Sequence, residues 1–184
     1  MDNFRTAYRQ GWFALMRTLV QFEKWDEILD GRTLPVYGKP REQAWRHYAA
    51  GLAHAGKGRP DQAREAATAM DRALAEFKEK AKEDAPPALT VARNELEGHL
   101  ALAEGKFEEA VRLLLAASRE ERALRYNEPP AYPRPVLEAL GRVALRHGRS
   151  ALAEVSFRGA LEQYPESYHA LEGLNQVAVA AGGR

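Results

Sequence analysis

Apolar residues recur at steps of three and four along the chain, and glycine and proline interrupt them at spacings that suit helices joined by tight turns. Phe4, Tyr8, Trp12, Leu15, Met16, Leu19 and Phe22 form a stripe too broad for a helix resting on one neighbour. A short second helix, Lys24 to Leu29, ends at Gly31 and Pro35, and the segment Gly31 to Pro40 reads as a loop. The third runs from Pro40 to about His54 through Trp45, Tyr48, Gly51 and Leu52, with Pro40 in its first turn, where a missing N–H costs nothing. A fourth, Asp61 to about Lys82, carries the seam Ala63, Ala67, Met70, Leu74, Phe77 and Ala81, which predicts one unbroken helix packed antiparallel on the fifth. Pro86-Pro87 opens that fifth helix, through Leu89, Leu96, Leu100 and Ala103 to Gly105, and the sixth runs from Phe107 through Leu113 and Leu114 to about Arg122. Leu137, Leu140, Gly141 and Ala144 mark the seventh; Gly148 breaks the pattern, and Ala153, Phe157 and Ala160 carry the eighth to Pro165. A last helix carries Leu171, Leu174, Ala178 and Ala181.

The expectation is all-α: nine helices, no sheet, four hairpins and a terminal helix. Small residues at Gly141, Ala153 and Ala160 stand where two helices approach closely, with Leu140 and Phe157 filling the space beside them. That order resembles a tetratricopeptide repeat, a family whose helix pairs stack into a right-handed superhelix. Gly58, Gly105 and Gly148 stand 47 and 43 residues apart. A regular array repeats every 34 or so, so the excess is assigned to longer fourth and fifth helices and to the loop Arg125 to Pro135. The chain is then a single domain over residues 1–184, with repeats at about 4–30, 40–83, 86–122 and 135–164 and a capping helix at about 166–181. Further wording is similar to the C-terminal part of a bacterial group of such proteins: Trp25-Asp26-Glu27-Ile28-Leu29, His47-Tyr48-Ala49-Ala50-Gly51, and Leu124-Arg125-Tyr126-Asn127-Glu128-Pro129-Pro130 followed by Pro135-Val136 and Leu140-Gly141. This chain has Asn127 and Ala50 where that group usually has Asp and Arg. The histidine-rich repeat region at the N-terminus of its longer members has no counterpart in this sequence.

Composition narrows the functional classes. A net charge of +1 removes the electrostatic case for nucleic acid or a membrane surface. With no cysteine, disulfides, thiolate zinc sites and thiol nucleophiles are excluded. No run reaches the roughly 20 apolar residues of a membrane helix, and the N-terminus has no signal pattern, so a cytoplasmic location is the default expectation.

Motifs of chemistry are sparse. Gly56-Lys57-Gly58 lacks the spacing of a phosphate loop. His47 and His54 stand two turns apart, beyond the one-turn spacing of a shared metal, and no cofactor or metal site is expected. In stacked repeats the first helix of each pair lines the concave face, which would bring Arg17, Trp45, Tyr48, Glu95, His99, Glu138 and Arg142 together as a binding groove. The expected partner is a protein or peptide segment, and the expected function is a non-catalytic scaffold. Glu95, Glu138 and Arg142 also read as an ordinary solvated ion-pair network, and residues such as Trp45 and Tyr48 are more often packed between helices. The proline-rich loop offers Tyr126 and Glu128, either in a rigid strap with Tyr126 and Tyr132 packed down or as a ligand lid. The competing function is an enzyme or a metal- or small-molecule-binding protein using His99, Glu95 and Glu128.

Overall fold

Three prolines and three glycines set most of the helix boundaries. Pro40, Pro60 and Pro87 each open a helix, and Gly58, Gly105 and Gly148 each follow a helix end with φ near +70°. At each glycine the same pair of bonds closes the helix: Gly58 N–H to Ala55 O with Arg59 N–H to His54 O, Gly105 to Leu102 with Lys106 to Ala101, and Gly148 to Leu145 with Arg149 to Ala144. This turn satisfies the last carbonyls of a helix and requires a left-handed residue.

The computed structural model describes residues 7–125 and 132–182, and among them there are nine helices and no strand. They are α1 (Ala7–Gln21), α2 (Trp25–Leu29), α3 (Pro40–Gly56), α4 (Pro60–Ala81), α5 (Pro87–Ala103), α6 (Phe107–Arg122), α7 (Val136–Arg146), α8 (Ser150–Gln163) and α9 (Tyr168–Gly182). Pairs joined by short turns pack on each other: α3 on α4, α5 on α6, α7 on α8. Contacts of α3 with α5 and of α6 with α7 join the pairs, and α9 rests on α8 and α7. None of these helices is long and apolar enough to cross a membrane.

The main core joins α1 to α6 with Tyr132, Val136 and Leu140, around the fully buried Trp45, Tyr48, Met16, Met70 and Leu96. A second core lies among α7, α8 and α9 and is centred on Phe157. A Cβ on Gly141 would stand 2.6 Å from that ring, and one on Gly173 would also clash with it, so both helices approach Phe157 at backbone distance. Burying such a ring contributes about 1.5–3 kcal/mol.

Two expectations need correction. The fourth helix is unbroken, but its main partner is α3, and its contact with α5 is lighter. At 22 residues against the 17 of α3 it outlasts that partner, so residues 78–84 are exposed and Ala81 adds nothing to the core. In α9 the buried face is Ala170, Gly173 and Val177, with Leu174 half-buried, while Leu171 and Ala178 face out. The register is set by Phe157, which admits only the small Gly173 against it.

Candidate functional site

Glu95 on α5 is the hub of a buried polar network. The Tyr48 hydroxyl of α3 donates to its Oε2 at 2.5 Å, the Tyr132 hydroxyl donates to the same oxygen, and the two hydroxyls are 3.3 Å apart. Arg134 sets Nε and Nη2 on Oε1 at 3.3 and 3.1 Å. Tyr132 and Arg134 come from the irregular segment before α7, which drives both side chains inward and buries them. The expectation that Tyr132 packs down is met; Tyr126 and Glu128 lie outside the described residues.

The network continues to the first helix. Arg134 Nη1 reaches Val20 O and Glu23 Oε1, both at 3.4 Å, and Arg146 donates to Glu23 Oε2 at 2.9 Å. Beside it, Arg142 Nη1 donates to Gln21 O at 3.0 Å, Gln21 Nε2 donates to Glu138 Oε2 at 3.1 Å, and the Ser167 hydroxyl donates to Glu138 Oε1. The end of α1, α7 and the start of α9 are thus joined across more than a hundred residues of sequence. Each group answers a need created by burial, since an unpaired buried charge is far costlier than a paired one.

The electrostatics fix most protons in place. Burial, the largest single influence, would raise the Glu95 pKa, but Arg134 together with its hydrogen-bonding neighbours outweighs it and holds the carboxyl at about 2. Burial, and then Glu95, push the Tyr48 and Tyr132 hydroxyls well above their usual range. Burial lowers the His99 pKa, so the ring is neutral and its Nε2 accepts from Arg134 Nη2 at 3.3 Å. Glu23 is opposed by burial but lowered by Arg134, Arg146 and Arg142. Glu95 and Glu23 therefore stay charged at neutral pH, while the two tyrosines and His99 stay neutral. Glu121 differs. It accepts from the backbone N–H of Val136 at 2.7 Å and from the Tyr164 hydroxyl at 3.1 Å, and burial pushes its carboxyl up to about 7.

Most of the expected groove residues do converge, but under cover. Trp45, Tyr48, Glu95, His99 and Glu138 are all buried, Arg142 is mostly buried, and Arg17 stands half-buried one turn before Gln21. Trp45 is packed edge-on between Phe13 and Tyr48. The open concave surface expected of these side chains is instead filled by Tyr132, Arg134 and the end of α1. Glu138 and Arg142 are correspondingly not an exposed ion pair. Among the described residues no three His, Cys, Asp or Glu side chains are grouped as a metal site.

Sequence reasoning missed Arg134, Glu23, Gln21, Ser167 and Glu121. One signal was available: Glu23-Lys24-Trp25-Asp26-Glu27 repeats Gly105-Lys106-Phe107-Glu108-Glu109, placing a carboxylate where the other turns have glycine. A second buried pair, Arg9 to Glu42 at 2.6 and 2.8 Å, was also missed. The chain matches no family model, no curated protein and no solved structure.

Proposed function

We propose that the chain is a non-catalytic helical scaffold, a tetratricopeptide-like solenoid closed on itself, that holds a protein segment on the face where α1 ends against α9. The solenoid reading is supported by the turn that recurs after α3, α5 and α7 and by the stacking of α3 on α5. With the former groove residues occupied in the internal network, recognition falls to side chains that remain outside.

The observation that carries this reading is an apolar cluster. Phe22 is 57% exposed, Tyr168 71% and Leu171 47%, and His169 lies between the two rings, 5.2 Å from Phe22 and 5.8 Å from Tyr168. Tyr168, Leu171, Ala178 and Val179 follow helical spacing on the outer side of α9 while Ala170, Gly173 and Val177 are buried on its inner side. Asn175 interrupts this outer stripe, so it is the aromatic cluster at the start of α9 that carries the reading, since clustered aromatics are the anchors of binding surfaces. The test is a photo-crosslinking amino acid placed at Tyr168 and, separately, at the equally exposed Val155 of α8. Discrete crosslinked partners are expected from position 168 and not from 155. Identical patterns from both, or none from 168, would remove this face as the site.

A further inference from the structure

The outer side of α9 is laid out symmetrically about one residue. With Asn175 as centre, Leu171 and Val179 stand four positions before and after it, and Tyr168 and Gly182 seven. At 3.6 residues per turn these five fall on one face, opposite the buried Ala170, Gly173 and Val177. All of them are open to solvent: Val179 is 76% exposed, and a Cβ on Gly182 would meet nothing.

Bulk and charge follow the same symmetry. Tyr168 and Leu171, the large residues, lie in the first half of the helix, and the smaller Ala178, Val179 and Gly182 lie in the second. A copy of this helix laid antiparallel across it at Asn175 therefore sets large against small at both ends, Tyr168 against Gly182 and Leu171 against Ala178 and Val179. The steps of three and four from 168 through 171, 175 and 178 to 182 are those of helices that pack about 20° from antiparallel. Apart from His169, Glu172 is the one acidic or basic side chain between Tyr168 and Gly182. It accepts from Gln176 Nε2 at 3.2 Å, and the crossing brings it to Ala178 of the other helix, away from its own counterpart. Asn175 meets Asn175, and an amide carries both donor and acceptor, so each satisfies the other. The end of a stacked helical array left in water has a polar outer face; this one is nearly free of charge and matches itself.

We infer that the partner on this face is a second copy of the chain, bound α9 to α9 in antiparallel about a twofold axis at Asn175. The inference rests on the proposed reading of the face as the partner site and names the partner. The interface is small. With α9 about 22 Å long, the area buried falls below the roughly 1,200 Å² at which standard interfaces begin, so the dimer is reversible.

Sedimentation velocity from about 5 µM to about 1 mM is the experiment, and the parent is expected to pass from monomer towards dimer across that range. Asn175→Lys, at an exposed position where folding is not at stake, sets like charges on the axis and should leave a monomer throughout. Tyr168→Ala should weaken the dimer by on the order of tenfold, while Val155→Lys, on the exposed side of α8, should change nothing. The photo-crosslinker at position 168 should join the chain to the neighbourhood of Gly182 in the second copy. A parent still monomeric at about 1 mM would overturn the inference, as would a dimer indifferent to Asn175→Lys or a crosslink from 168 to 168. Crosslinks from 168 to other proteins alone would overturn it while keeping the face as the partner site, and with no crosslink from 168 the face falls as well.

Discussion

Glu95 and Glu121 are both buried carboxylates, yet they ionise on opposite sides of the ordinary carboxylate range because their neighbours differ. Burial opposes the charge at both. At Glu95 the Arg134 guanidinium and the hydrogen bonds around it together win and the pKa falls to about 2; at Glu121 the neutral donors Val136 N–H and Tyr164 OH offset only part of it, and Glu95 and Glu138 add repulsion, leaving about 7. Each shift is a statement about stability. The stabilisation from Glu95 is present above the ordinary value of 4.5 and is lost as pH falls toward 2. For Glu121 the sign reverses: its contribution is complete below 4.5 and is lost as pH rises through 7. Glu121→Gln keeps an acceptor and removes the titration. Urea unfolding at pH 5 and pH 8 should show the parent losing about 2–3 kcal/mol more than this variant across the interval. Equal losses would mean that Glu121 ionises in the ordinary range.

The turn is the element that recurs, and one of its four copies departs at the left-handed position. Glu23 takes φ +51° where the other turns have glycine, with the same closing bonds, Glu23 N–H to Val20 O and Lys24 N–H to Leu19 O. A left-handed conformation costs a residue with a Cβ about 1–2 kcal/mol, and the carboxylate repays it by meeting Arg134 and Arg146. Glu23→Gly removes the strain and the carboxylate together. The expected result is a net loss of about 1–3 kcal/mol in chemical unfolding, because the buried Arg134 loses a partner; a gain would show that strain outweighs the pair. Glycine, proline and apolar period made the nine helices legible in the sequence, as they did the close approach of Gly141 to Phe157. The register of α9 was not legible, since its outer side also carries Tyr168, Leu171, Ala178 and Val179 and the period alone does not choose between the two sides. Nor was the use made of Tyr48, Glu95 and His99: they were found as a group, but Tyr132 and Arg134, which bury them, come from a segment with no period to read.

At the scale of the molecule, the bonds from Gln21 and Glu23 to Glu138, Arg142 and Arg146 span 117 to 123 residues. They tie the first helix to the fourth pair, so the helices should unfold together and not pair by pair as an open repeat array permits. Trp12, Trp25 and Trp45 all lie in α1 to α3 and report that end, while far-UV circular dichroism reports every helix. The two urea transitions of the parent should coincide. Glu138 is only 1% exposed and Arg142 22%, so replacing both with alanine should cost about 2–4 kcal/mol and separate the transitions, where an exposed pair would cost about 0–1 kcal/mol. Coinciding transitions in that variant would place the coupling elsewhere. The same closure orders events during synthesis. Glu95 leaves the ribosome well before Arg134, and until Arg134 follows, the carboxylate has no cation with which to enter the interior. The α3–α5 contact must therefore stay hydrated in the nascent chain, and the first half of the protein completes its core only when the second half delivers the charge.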